Sequence, residues 1–423
     1  MSDIVVAGGG FAAVWTAAAA ARRRQEAGER PADLSITLVA PGADMVIRPR
    51  LYEDRPGEMR VPLHRVLEPI DVRHLRASVE AVDVERGEVL AVDRNGAGFE
   101  MSFGRLIVAA GSRLVRRSGF PGAELLHDID TLGAAVALDE HLLGLPTRAA
   151  ADGRYTVVVI GAGFVGLELA TELVTRLRAI ADSTGASDEV RVVLVEREPV
   201  VGPQLGPGPR PAIEQALDEL GVERRLITTV TGLDEETVQL SDGTTISAQT
   251  AVWTAGMQAS AITESVPGPR DALGRLEVDR HMRVIGVEAV FAAGDTASIE
   301  VAPGQRAVQA CQYAHQMGKH AGHNAVSELV GLPLIEFGPD PYVTCLDLGG
   351  AGAIHTEGFE RTIRATGDAA KKIKRTINRE LIYPTLDDAA KILQRADYLA
   401  ESRPPRPVER PTTEAAAGRV PQR

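Results

Sequence analysis

At 423 residues, 44% hydrophobic and 25% charged, the chain has the length for two or three domains with cores of their own and the composition of an ordinary globular protein. A formal net charge of −12 argues against a nucleic-acid partner recruited by bulk charge. Its two cysteines, Cys311 and Cys345, are too few for a disulfide scaffold or a zinc cage and fit a reducing cytoplasm; no metal site is expected.

The chain opens on Asp3-Ile4-Val5-Val6-Ala7-Gly8-Gly9-Gly10-Phe11-Ala12-Ala13, an apolar strand run followed by Gly-x-Gly-x-x-Ala at the start of an alanine-rich helix predicted over 12–24. The run has no basic leader and is broken by three glycines, so it reads as core and not as a targeting segment. No other run approaches the ~20 apolar residues of a membrane span. A second strand over 34–39 completes a βαβ unit. The acid that ends such a strand and holds a ribose hydroxyl is replaced by Ala40, with Asp44 as a candidate substitute. The loop Ile47-Arg48-Pro49-Arg50-Leu51-Tyr52-Glu53 follows.

Asn95-Gly96 between two strand-like runs predicts a hairpin. Residues 105–112 read as a buried strand leaving through Ala110 and Gly111. That is either plain core or a crossover passing close to a cofactor. A helix and loop over 133–153 then lead to a domain boundary near Asp152.

The opening pattern returns at Thr156-Val157-Val158-Val159-Ile160-Gly161-Ala162-Gly163-Phe164-Val165-Gly166-Leu167-Glu168. Here Gly161 permits a tight turn, Gly163 lets backbone approach a pyrophosphate, and Gly166 lets the helix pack closely on the strand. One such motif is weak evidence. Two, each between an apolar strand and an alanine- or leucine-rich helix, point to two bound dinucleotides, and a flavin with a nicotinamide is the useful pair for redox work. The strand over 190–195 ends in Glu196, placed to take a ribose 2′-hydroxyl and to repel a 2′-phosphate. NADH is therefore favoured, and Arg197 leaves NADPH open.

Gly202 to Pro209 reads as loop, 211–220 as helix, and Asp242-Gly243 as a hairpin centre. Residues 251–256, ending at Gly256, repeat the earlier strand exit. Residues 289–296 return to the first domain, with Gly294-Asp295 placing a carboxylate beside the next helix; the bland alternative is a turn aspartate. A long helix is predicted over 307–330, with Gln312 and Gln316 on one face, suited either to a polar uncharged acceptor or to solvent. Residues 339–358 are strand-like. Residues 368–379 form a basic helix expected to be solvated, with an anionic lipid surface as the alternative. Residues 401–423 lack periodicity and are expected to be disordered.

The expected fold is α/β: two Rossmann-like dinucleotide-binding domains, the second inserted into the first, plus a small C-terminal region. The boundaries are 1–125 and 270–335 for the first domain, 150–265 for the second, 336–400 for the C-terminal region and 401–423 for the tail.

With these motifs the chain resembles the two-dinucleotide-domain flavoproteins, and among them the type II NADH dehydrogenases, over about residues 3–385. The resemblance implies FAD held by Gly8, Gly10, Phe11, Ala13, Arg48, Pro49, Ala110, Gly111, Gly294 and Asp295. NADH would be held by Gly161, Gly163, Phe164, Val165, Gly166, Glu196 and Gly256. Cys311-Gln312-Tyr313-Ala314-His315-Gln316 is similar to the family's A-Q-x-A-x-Q quinone motif, with Cys in the first place. Glu168 lies near the nicotinamide and acceptor in that family, and here is a candidate proton donor or, equally, a first-turn helix acid. Lys374 to Asn378 and Ile382-Tyr383-Pro384 resemble its C-terminal signature, without a large apolar hairpin.

The implied activity is hydride transfer from NADH to FAD and electron delivery to a quinone, with Glu168, Gln312 and Gln316 as acceptor-side residues. A peripheral membrane contact and a homodimer stay open. Two rivals are a reductase of a ferredoxin-like carrier or small molecule, and an FAD/NADH redox sensor. A disulfide reductase is excluded, since no cysteine pair follows the first helix. A sulfide:quinone reductase is disfavoured by the separation of the two cysteines.

Overall fold

The structure is a computed structural model describing residues 2–115 and 119–399. The tail expected over 401–423 lies outside the described residues.

The first domain is built on a five-stranded parallel sheet. Its strands are β1 (Ser2–Ala7), β2 (Leu34–Val39), β3 (Arg73–Leu75), β4 (Arg105–Val108) and, far along the chain, β9 (Val290–Ala292). They lie in the spatial order β9-β4-β1-β2-β3. The second domain has a four-stranded parallel sheet of β5 (Thr156–Ile160), β6 (Arg191–Val195), β7 (Glu223–Arg225) and β8 (Thr250–Trp253), in the order β7-β6-β5-β8. All five side chains of β5 are buried, as expected of a strand covered on both faces. Because β9 joins the edge of a sheet begun by β1, the second domain is an insertion in the first. Short strands Ser112–Leu114 and Met257–Ala259 pair antiparallel and carry the chain out and back.

Both hairpins form where expected. Asn95-Gly96 turns between Glu88–Asp93 and Gly98–Ser102, and Asp242-Gly243 between Thr237–Leu240 and Thr245–Ser247.

Helix α1 (Phe11–Glu26) is buried along most of its length because α5 (Cys311–Leu329) lies directly against it. The approach depends on Gly318 and Gly322. A methyl group on either would come within 2.4 Å of the Ala12 carbonyl or 2.2 Å of the Thr16 carbonyl. Helix α5 begins at Cys311 and not at 307, because the chain leaves the strand Gln305–Arg306 and is still extended at Ala310, with φ −152° and ψ 149°.

The other major helices are α2 (Leu132–Gly144), leading into the second domain, and α3 (Phe164–Asp182) and α4 (Arg210–Leu220) within it. The C-terminal region is an antiparallel sheet, β10 (Val343–Asp347), β11 (Ala353–Glu357) and β12 (Thr362–Thr366), with α6 (Gly367–Thr376) packed on it and α7 (Ala389–Arg395) against α1. Its turn at Gly349 sits on the backbone of α3, where a methyl group would be 2.3 Å from the Thr171 carbonyl. That contact brings the end of β10 to the second dinucleotide motif. Among the described residues no helix is long and apolar enough to cross a membrane.

Candidate functional site

The two glycine-rich turns are built alike. Gly8 N–H donates to the Val39 carbonyl at 2.9 Å, and Gly161 N–H to the Val195 carbonyl at 2.8 Å. Ala40 N–H donates to the Leu75 carbonyl at 3.1 Å, as Glu196 N–H does to the Arg225 carbonyl at 2.8 Å. Ala40 and Glu196 are thus the same position in two copies of one unit.

Gly8 and Gly161 have φ of 134° and 106°, a region side chains avoid, and a methyl on Gly8 would lie 2.2 Å from the Ala109 carbonyl. A methyl on Gly166 would lie 1.8 Å from the Gly161 carbonyl, so only glycine lets α3 rest on the turn. Gly10 is different: nothing lies within 4 Å of where its methyl would be. It is the N-cap of α1, as Gly163 is of α3, and neither helix has a side-chain cap. Both first turns therefore offer free N–H groups to an anion, and the open space at Gly10 fits a pyrophosphate. Phe11 and Ala13 follow in α1, both buried. In α3 Phe164 is half-buried and Val165 exposed.

Glu196 is buried, and its carboxylate accepts from Ala162 N–H at 2.7 Å and Glu198 N–H at 3.0 Å. Arg197 turns to solvent and to Glu198 at 3.4 Å. The corner at Ala40 has no carboxylate. Asp44 is bound to Arg60 at 3.3 Å across the Asp44–Val46 and Arg60–Pro62 hairpin.

A second cluster forms around Asp295. Ser112 Oγ donates to its Oδ2 at 2.6 Å, and Arg48 donates to Ser112 Oγ at 2.9 Å and to Asp130. Burial raises the Asp295 carboxyl, against the opposing pull of Ser112 and Arg48. Pro49 sits in the single 3-10 turn Arg48–Arg50 that aims Arg48 inward. Ala110 and Gly111 carry the chain to Ser112, Gly111 and Gly256 have φ of 72° and 84°, and Gly294, at φ 71°, has no room for a methyl against Ala12. The expected flavin residues Arg48, Pro49, Ala110, Gly111, Gly294 and Asp295 therefore meet in one place. Ser112 and Asp130 belong with them and carry no motif that could have announced them.

The third cluster corrects an expectation. The basic helix α6 is not a uniformly solvated face. Lys374 is buried, and its Nζ donates to Glu168 Oε1 at 2.7 Å; Lys371 donates to Asp347 Oδ1 at 2.9 Å. Lys372, Arg375 and Arg379 are exposed. Glu168, 3% exposed, also accepts from Asp347 N–H at 3.0 Å. Burial pushes its carboxyl up to about 7, although the Lys374 charge and hydrogen bond pull it down. Burial lowers Lys374, but Glu168 outweighs this and leaves it raised, so the lysine holds its proton and the glutamate titrates near neutrality. Tyr52 and Phe164 complete the cluster, with their ring centroids 5.9 Å and 5.3 Å from Lys374 Nζ. Lys374 had a readable signal: it stands four residues after buried Ala370, within the apolar stripe of Ala370, Ile373 and Ile377.

Gln312 and Gln316 share a face of α5, and both amides engage the chain ahead of β10. Gln312 accepts from Val343 N–H at 3.0 Å and donates to the Pro341 carbonyl at 3.1 Å. Gln316 accepts from Asp340 N–H at 3.0 Å. They fasten the C-terminal sheet to α5. Burial raises the Cys311 thiol and pushes Cys345 up to about 12, so both stay protonated. Among the described residues no group of His, Cys, Asp and Glu is arranged to hold a metal.

The family described as pyridine nucleotide-disulphide oxidoreductases matches residues 2–318. An NADH dehydrogenase-like protein of Mycobacterium tuberculosis is 43% identical over 365 residues, covering 85% of this chain and 88% of that one. A type II NADH:quinone oxidoreductase of the same organism is 30% identical over 318 residues, covering 68% and 67%. The fold is similar to that of NDH2 from Plasmodium falciparum solved in complex with NADH, with a TM-score of 0.75 at 11% identity over 93% of this chain and 96% of that one.

Proposed function

On the premise that this chain belongs to the pyridine nucleotide-disulphide oxidoreductase family, we propose that it is an FAD-dependent NADH:quinone oxidoreductase of the type II NADH dehydrogenase kind. The observation that carries this reading is the buried Glu168–Lys374 pair. It joins the first turns of α3 to α6 and sets a proton-bearing carboxyl beside an ammonium where the second dinucleotide motif opens. A flavin, when bound, supplies the two-electron chemistry between NADH and the acceptor.

The chain's own residues do the rest. Gly8, Gly10 and the first turn of α1 hold the flavin pyrophosphate, with Asp295, Ser112 and Arg48 on its ribityl side. Gly161, Gly163 and the first turn of α3 hold the NADH pyrophosphate. Glu196, already pinned by two backbone N–H groups, takes the ribose hydroxyls and repels a 2′-phosphate, which favours NADH over NADPH. Lys374 donates to an acceptor oxygen as negative charge develops on it, and Glu168 supplies the proton. Gln312 and Gln316 keep β10, and with it Asp347, in place against Glu168. The protonated thiols at Cys311 and Cys345 do not suit nucleophilic sulfur chemistry, which favours a quinone over sulfide as the substrate.

The test is the pH dependence of quinone reduction. Glu168 carries its proton below about 7 and loses it above. The rate of quinone reduction should therefore fall as pH rises through about 7, while bleaching of the flavin absorbance by NADH stays flat. Glu168→Gln should abolish the inflection. An unchanged inflection in that variant would remove Glu168 from proton delivery.

A further inference from the structure

We propose that the Tyr52 hydroxyl is a hydrogen-bond donor to the electron acceptor, which therefore presents a carbonyl oxygen here, as a quinone does. The inference rests on the reading above and adds a positioning residue that no motif pointed to. Tyr52 lies two residues past the Arg48–Arg50 turn and is 3% exposed. Its phenol oxygen is buried and has no hydrogen-bond partner among the described residues.

A buried hydroxyl with no partner is unfavourable, and phenylalanine would fill the same space without that cost. Here the Tyr52 ring stands beside the Lys374–Glu168 pair, the acceptor site of the proposed function. Three separate parts of the chain converge on it: the 47–53 loop of the first domain, the first turns of α3 with Phe164 and Glu168, and α6 with Lys374. Lys374 Nζ is 5.9 Å from the Tyr52 ring centroid and 2.7 Å from Glu168.

The chemistry of the vacant donor selects its partner. Burial raises the phenol well above its ordinary range, and Glu168, Asp347, Glu53 and Glu172 reinforce the shift. Tyr52 is thus a neutral donor at every working pH. A donor without a partner, in the same cluster as the Lys374 ammonium, calls for an acceptor oxygen. A carbonyl gaining electron density meets that need, and each donor binds it more strongly as the charge grows. A small metal complex or an iron–sulfur carrier has no such atom to insert into a buried site.

The experiment compares Tyr52→Phe with the wild-type flavoprotein in five readouts. Global stability should hold or rise, because the orphan hydroxyl is gone. Bleaching by NADH, and turnover with ferricyanide as an acceptor without a carbonyl, should stay within about twofold. The KM for a soluble quinone should rise about fivefold to tenfold, the scale of one lost hydrogen bond. The rise in melting temperature that the quinone gives the NADH-free wild-type protein should shrink in step.

Quinone KM and melting shift equal to wild type would overturn the assignment to the acceptor. Slower NADH bleaching would overturn it as well, moving the donor to the nicotinamide carboxamide. If the wild-type protein itself reduces ferricyanide but no quinone, the proposed function fails and this inference falls with it. A wild-type protein that reduces quinone beside an unaffected Tyr52→Phe leaves the function standing and sinks the inference alone.

Discussion

Replacing Lys374 with alanine is expected to cost about 3–5 kcal/mol of folding stability at a pH high enough to keep Glu168 ionised, because its carboxylate is then left buried without its counter-charge, and less where Glu168 takes up a proton. The pair is not held for stability as such, since two buried charges roughly cancel their own desolvation cost. Removing both should therefore be milder than removing one. Lys374→Met combined with Glu168→Gln is expected to recover most of the loss, because the glutamine carbonyl can still accept from Asp347 N–H. Denaturant unfolding of the two single variants and the double variant measures the coupling. Additive losses would mean that the two side chains do not depend on one another. Lys374→Ala should also move the Glu168 titration further upward, since the charge that holds it down is gone. Proton delivery above neutral pH would then persist in whatever folded protein remains.

Gly10→Ala is expected to leave the fold intact and strip the protein of flavin. No protein atom lies within 4 Å of the added methyl, and Gly10 has an ordinary extended φ of −89°. Folding stability should change by less than about 0.5 kcal/mol. The methyl instead occupies the space a pyrophosphate needs at the start of α1. A loss of flavin affinity of about 100-fold, or roughly 2.7 kcal/mol, is the expected scale. Gly8→Ala is the contrasting control, because its methyl would collide with the Ala109 carbonyl and its backbone would be strained. That variant should lose stability as well as flavin. A yellow, stoichiometrically loaded Gly10→Ala protein would show that the flavin pyrophosphate lies elsewhere.

The repeated βαβ units were legible because their signals are local. A run such as Val157-Val158-Val159-Ile160 has only one comfortable place in a parallel sheet, and of the glycines in the two motifs Gly166 and Gly8 are required by a methyl-sized clash with Gly161 and Ala109. Insertion of one domain in the other was legible because the strand over 289–292 had the same character as the strand over 105–108. What sequence reading missed is decided at long range. Lys374 looked like one more solvated lysine, yet it pairs with a residue 206 positions away. The start of α5 was misplaced because the Glu300–Arg306 hairpin holds the preceding chain extended as far as Ala310, against its local helix propensity. The two glutamines were recognised as a pair on one face, but their backbone partners at 340–343 depend on how the C-terminal sheet docks. Tyr52 offered no pattern at all, since its meaning lies in a partner that its hydroxyl lacks.

The most direct test of the central claim is an anaerobic titration of the purified protein with NADH, and separately with NADPH, followed by a soluble quinone. The account predicts loss of the visible flavin absorbance at about one equivalent of NADH, a much weaker response to NADPH, and full recovery of the absorbance on adding quinone. A flavin-loaded protein that NADH fails to bleach, or that stays bleached in the presence of quinone, would contradict it.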